Sequence, residues 1–194
     1  MFWTLKAPVT ITFWGLIVCI VAATVLAPRF AVKRSKAFPL SIVLGVLAFI
    51  PSCIGVNAVI APFRFGVFHY DAYDDVNDWR VYRYLPKGAT DITLEKPSGG
   101  NGFRAKFAIS RVELESWIDQ QWALYGDTSR SPREEADSRR AVSGEEIARE
   151  FDDFADGLPS AAIEYGGPVK SNWAGCTIWY SEEQGVGYGD AGYW

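Results

Sequence analysis

The chain has 194 residues with 19 basic and 23 acidic side chains, one histidine and three cysteines. Its charge is divided: residues 1–64 carry six basic side chains and no acid, so residues 65–194 hold 13 basic and 23 acidic groups, a net −10. An acidic domain of that size argues against nucleic acid, whose phosphates require clustered Lys and Arg. It also argues against flat adsorption on anionic lipid.

Two apolar runs dominate the amino-terminal third. No charged residue falls between Lys6 and Arg29, or between Lys36 and Arg64, leaving uncharged stretches of 22 and 27 residues. A bilayer core requires about 20 apolar residues per helix, so both runs are long enough to span. The second has fourteen Leu, Ile, Val or Phe residues, which outweigh the cost of Asn57 and Pro51. The expected spans are about 8–28 and 39–62, within a hairpin over residues 1–64. Phe2 and Trp3 suit the membrane interface. Gly15 and Ala22-Ala23 offer places for close helix contact, as do Ser41 and Gly45.

Two processing alternatives compete with this reading. Val25-Leu26-Ala27 resembles a signal-peptide cleavage site, although Pro28 follows it directly and a second apolar run comes soon after. Ile50-Pro51-Ser52-Cys53 resembles a lipoprotein box, but the chain stays apolar through Phe63; Cys53 is read as a small residue in a helix.

Arg29, Lys33, Arg34 and Lys36 fill the connector, with no acid. Basic residues in short loops remain cytoplasmic, so both termini are expected outside the cytoplasm, in a two-pass protein of the cytoplasmic membrane.

Residues 65–78 are expected to form an acidic juxtamembrane tether. Asp71, Asp74, Asp75 and Asp78 fall at i, i+3, i+4 and i+7, one face of a helix. Four like charges there repel, so either the segment is not helical or a cation sits among them. The spacing does not match a calcium loop, and a solvated tether is the competing reading.

Residues 79–194 read as an α+β domain. Trp79–Leu85 is rich in strand formers, and Ala89–Lys96 is a second candidate strand. After a turn over Ser98–Gly102, Phe103, Ala105, Phe107 and Ile109 alternate with polar neighbours, giving a hairpin with one buried face. Ser110 and Glu113 form a capping box before a helix whose apolar stripe is Leu114, Trp117, Ile118, Trp122 and Tyr125, ended by Gly126. Asp127–Val142, polar and without an aromatic, reads as a mobile loop. Ser143 and Glu146 cap another helix bearing Ile147, Phe151, Phe154 and Ala155, stopped by Gly157 and Pro159. Gly175–Ser181 reads as a strand, and Val186–Trp194 as its return, weakened by glycines. The expected fold is therefore α+β: a transmembrane helical hairpin, then a small antiparallel sheet packed with two amphipathic helices.

Leu85-Pro86-Lys87-Gly88-Ala89-Thr90-Asp91-Ile92, the alternating strand Phe103–Ile109 and Ser110–Trp117 together resemble a pattern in uncharacterised bacterial exported domains. Those domains open with Leu-Pro-x-x-Ala-Thr-Asp-Ile and continue strand, strand, helix; the similarity covers about residues 85–122. It implies extracytoplasmic placement and an α+β fold, and carries no assigned activity.

No catalytic motif stands out. His69 is the single histidine, so any Ser-His-Asp or Cys-His arrangement must use it. Cys176 reads as a small buried hydrophobe in a strand. Gly185-Val186-Gly187-Tyr188-Gly189 looks like a phosphate loop, but no strand–helix–strand unit surrounds it, and no cofactor is expected. Glu113, Glu115, Asp152, Asp153 and Asp156 are available as a carboxylate pair, though solvated helix faces account for them. Of the tail tryptophans, Trp117 and Trp122 lie at core spacing. Trp173, before Ala174-Gly175, is the residue free to serve a ligand or partner surface.

Three functional classes follow. The first is a membrane-anchored binding or interaction module, its ligand a protein, including a basic one drawn by the −10 charge. The second is an envelope-acting hydrolase using a carboxylate pair. The third is a structural subunit of a membrane complex that uses the hairpin as its contact.

Overall fold

A computed structural model describes residues 3–98, 101–151 and 157–192, and divides into two compact units that meet in sequence at Phe65/Gly66. The first is a helical hairpin. Helix α1 (Trp3–Leu26) is followed by a 3-10 turn, Ala27–Phe30, which closes at Ala31 in the left-handed conformation, and then by α2 (Arg34–Ile60). Both helices are long and apolar enough to cross a membrane. Within the hairpin, Leu47 and Ile50 are each 70% exposed. Water does not stabilise such a surface; a hydrocarbon phase does.

The two helices meet along small residues, as close packing in lipid requires. A Cβ on Gly45 would lie 3.1 Å from Cδ1 of Ile20, and Ala37 is buried. Ser41 returns its hydroxyl to the Ala37 carbonyl, 2.8 Å away. Gly15, Ala22 and Ala23, expected at the same contact, are instead exposed. An apolar sequence shows which residues are small but not which side of the helix its partner takes.

The second unit is an α+β domain built on one seven-stranded antiparallel sheet. Its strands are β1 (Gly66–Ala72), β2 (Thr90–Lys96), β3 (Gly102–Ala108), β4 (Ala141–Ser143), β5 (Ala161–Gly166), β6 (Gly175–Ser181) and β7 (Val186–Gly192). The spatial order is β1-β2-β3-β7-β6-β5-β4. Short helices α3 (Trp79–Tyr82) and α5 (Arg133–Ala136) accompany the longer α4 (Arg111–Tyr125) and α6 (Gly144–Phe151).

Alternation in the strands creates two apolar faces. Leu114, Trp117, Ile118 and Trp122 of α4 pack in the larger core with Ile92, Leu94, Phe103, Ala105, Phe107 and Ile178. The smaller core joins Ile147 and Phe151 of α6 to Val142, Ala162 and Tyr188. The Ser143–Glu146 capping box forms, each side chain accepting the other's amide. Ser110 caps α4 with its hydroxyl, which accepts the Glu113 amide at 3.3 Å, and the Glu113 carboxylate takes that hydroxyl rather than the Ser110 amide. Phe154 and Ala155, expected to extend the α6 stripe, lie outside the described residues.

Three sequence expectations change. Residues 65–78 are not a tether as a whole, because Gly66–Ala72 is edge strand β1, paired along its length with β2. The period-two pattern that drives this is Phe68 and Tyr70, which pair with Leu94 and Ile92, while Val67, His69 and Asp71 are exposed. Trp79–Tyr82 is helical because Asp78 caps it, accepting the Arg80 amide at 3.1 Å. The stretch 127–142 is pinned rather than loose: the Asp137 carboxylate, 1% exposed, takes bonds from Arg133, Arg139 and the Gly166 amide.

The glycines of β7 also acquire a reason. A Cβ on Gly187 would fall 2.8 Å from the Phe107 ring, so this central strand needs glycine to admit the ring.

Candidate functional site

Trp173 lies in the loop between β5 and β6, and local hydrogen bonds hold the loop in shape. The Trp173 amide donates to the Lys170 carbonyl at 2.9 Å, and the Lys170 amide to Ala174 at 2.8 Å. The loop docks on the segment after α4, where the Arg130 amide reaches the Val169 carbonyl at 2.6 Å and the Ser129 hydroxyl accepts the Val169 amide at 3.2 Å. Trp173 has φ +65°, a left-handed conformation that is uncommon for a large side chain, and it is 63% exposed.

Its neighbourhood is cationic although the domain is acidic. The Arg130 guanidinium lies over the Trp173 ring, 3.8 Å from the centroid. Beside it a small pocket is lined by Arg83, Tyr84, Tyr125, Ser129, Lys170 and Cys176, and no acidic residue lines it. Arg83 rests on the rings of Tyr125 and Tyr84, 5.1 and 5.7 Å from their centroids. Burial, and then the positive charge of Arg83, pull the Lys170 ammonium below its ordinary pKa. Burial also keeps Tyr84 neutral, its pKa raised. Cys176 is inert as a nucleophile, because burial pushes its thiol up to about 12.

Other basic residues of the domain are differently placed. Arg111, Arg133, Arg139 and Arg140 each meet carboxylates, including Glu115, Asp119, Asp137 and Glu164. Among the described residues Arg83, Arg130 and Lys170 form no such pair. Three segments remote in sequence thus bring unpaired cations and aromatic rings to one place.

The four aspartates of the expected metal candidate diverge in role. Asp71 lies on the exposed side of β1, Asp75 accepts the Ala72 amide at 3.1 Å, and Asp78 binds Lys96 at 2.9 Å while capping α3. The segment is the end of β1 and a 3-10 turn over Tyr73–Asp75 rather than one α-helix, so the four carboxylates do not share a helix face. Among the described residues no group of three or more His, Cys, Asp or Glu could hold a metal ion.

The carboxylates considered for acid–base chemistry are dispersed. Glu113 serves the α4 cap, accepting the Ser110 hydroxyl at 2.7 Å. Hydrogen bonds from Arg111 and then Tyr165 hold Glu115 below the usual carboxylate range, so it stays ionised. Tyr165 is pushed up to about 12 by burial and by Glu115. Asp152, Asp153 and Asp156 lie outside the described residues. Asp190 alone among the described carboxylates is raised, by desolvation and then by Glu150, and it does not line the pocket beside Trp173. His69 bonds Thr93 at 3.1 Å on the sheet edge.

Sequence reasoning singled out Trp173 but not Arg83, Arg130 or Lys170. Their only advance signal was the scarcity of acids around Lys170 and its setting in a Gly-Pro turn. Compared with protein-family models, curated proteins and solved structures, the chain matches none.

Proposed function

We propose that the chain is a two-pass protein of the cytoplasmic membrane that presents its α+β domain outside the cytoplasm as a binding module, with the face around Trp173 as its binding site. Two long apolar helices and a connector with four basic residues and no acid support the placement. The resemblance to bacterial exported domains supports it also. The observation that carries the site is the exposed, left-handed Trp173 beside a pocket of unpaired cations. The −10 charge still favours a basic partner elsewhere on the domain, but the local charge at Trp173 has the opposite sign.

Replacing Trp173 by a photocrosslinking amino acid in the full chain in cells tests this reading. A discrete adduct is expected at position 173 and not at Leu124, which is equally exposed on α4. No adduct from position 173, or the same smear from both, would end the claim that this face is a binding site.

One observation favours a second role for the hairpin. Gly15, Cys19 and Ala23 recur at four-residue spacing and are exposed on α1, a small-residue face suited to another membrane helix. Gly15→Leu with Ala23→Leu should then reduce co-purification of a membrane partner without unfolding the domain. Undiminished co-purification would remove this role.

A further inference from the structure

We infer that the surface at the mouth of the small pocket beside Trp173, between Arg83 and Lys170, binds a phosphate-type oxyanion, an inference that rests on the reading of this face as the binding site. Two cations from separate places line the pocket, Arg83 just after α3 and Lys170 in the β5–β6 loop, while Arg130, after α4, lies over Trp173 beside it. A guanidinium that contacts an aromatic ring through its face leaves its N–H groups available to an oxyanion. Arg83 and Arg130 both lie on rings, and among the described residues neither side chain donates a hydrogen bond elsewhere. The donors of Arg83 are therefore unspent at the pocket, and a guanidinium with free N–H groups can take an oxyanion in bidentate fashion.

Charge selects among oxyanions. Lys170 and Arg83 are close enough to repel, and no acidic side chain lines the pocket to offset them. A carboxylate would neutralise one of the two. A phosphate dianion neutralises both and offers oxygens to Lys170 and to the guanidinium together. The Tyr84 and Tyr125 rings flank the site with apolar surface, which lowers the local dielectric and strengthens each contact. The phosphate could come from a soluble ester or from a lipid headgroup; the chemistry at the pocket is shared.

The test uses the full chain in phosphatidylcholine nanodiscs, titrated calorimetrically with inorganic phosphate and pyrophosphate at constant ionic strength, with acetate and succinate as controls. Saturable binding of pyrophosphate at one site per chain is expected, with Kd raised about tenfold or more in Lys170→Gln and in Arg83→Gln. Lys170→Arg should retain binding, and near-ultraviolet circular dichroism should report an unchanged fold in all variants. Including phosphatidic acid in the nanodiscs separates the sources: competition with pyrophosphate assigns the site to a lipid headgroup, and no competition to a soluble phosphate. Either supports the inference.

Failure of both phosphates to bind the unaltered chain would overturn it, as would binding equally strong in folded Lys170→Gln or equally tight for succinate. Persistence of the position-173 crosslink beside such a failure would mean that the ligand class is wrong and the binding face stands. Loss of both would remove the face as well.

Discussion

At the residue scale, Trp173 and Trp117 show two uses of the same side chain. Trp117 is 8% exposed on the inner stripe of α4, whereas Trp173 is 63% exposed at φ +65°. Truncating the first leaves a cavity, and Trp117→Ala should cost about 3–5 kcal/mol in denaturant unfolding. Trp173→Gly relieves left-handed strain worth about 1–2 kcal/mol while forfeiting an exposed contact with Arg130 worth about 0.5–1 kcal/mol. Stability should therefore be unchanged or slightly raised in Trp173→Gly. A loss in Trp173→Gly equal to that in Trp117→Ala would mean that Trp173 is a packing residue. The distinction between them was legible beforehand, because Trp117 sits at helical core spacing and Trp173 follows no period. The cations around Trp173 were not legible, since a sequence does not show that Arg83 and Lys170 come together in space.

Elements were read best where periodicity was long and its ends were marked. The α4 stripe through Trp122 and its Ser110 cap, the β3 alternation and the Ser143–Glu146 cap form as the sequence predicts, while Tyr125, expected on the same stripe, is exposed at the end of the helix. Charge misled the reading elsewhere. The aspartates of 71–78 hid the inward Phe68 and Tyr70 of β1, and the polar character of 127–142 hid the anchoring role of Asp137. A burial-free reading treats every carboxylate as solvated, but Asp137 and Asp78 are consumed by partners.

Asp78 provides a pH test at this scale. Burial pushes its carboxyl up, but bonds from Lys96 and the Arg80 amide, with both positive charges, hold it below its ordinary value overall. A carboxyl with a depressed folded pKa stabilises fully above its unfolded value, about 3.9, and loses that contribution as pH falls through the lower folded value. Asp78→Asn should destabilise by about 1–3 kcal/mol near neutrality. The gap between the two proteins should stay constant down to about pH 5 and close below about pH 4. A gap that closes already at pH 6, or persists below the acid range, would show that the Lys96 and Arg80 contacts are not its source.

At the scale of the whole molecule, the charge division at Arg64 coincides with the structural division at Phe65/Gly66. Composition made that boundary visible, because an acid-free apolar hairpin and a −10 domain need different solvents. Every functional reading depends on which side of the membrane the domain occupies. Four basic residues in Arg29–Lys36 should hold the connector in the cytoplasm and bring both termini out. The acidity of the domain does not decide this, since Asp and Glu contribute little to topology and long segments translocate regardless of charge.

Cysteine accessibility in intact cells tests it most directly. With Cys19, Cys53 and Cys176 replaced, Glu183→Cys lies in the exposed β6–β7 turn, and Ser35→Cys in the exposed basic connector. A membrane-impermeant thiol reagent, applied after any outer membrane is permeabilised, should label Glu183→Cys at once and Ser35→Cys only when the inner membrane is opened. The reverse pattern would place the domain in the cytoplasm and contradict the account.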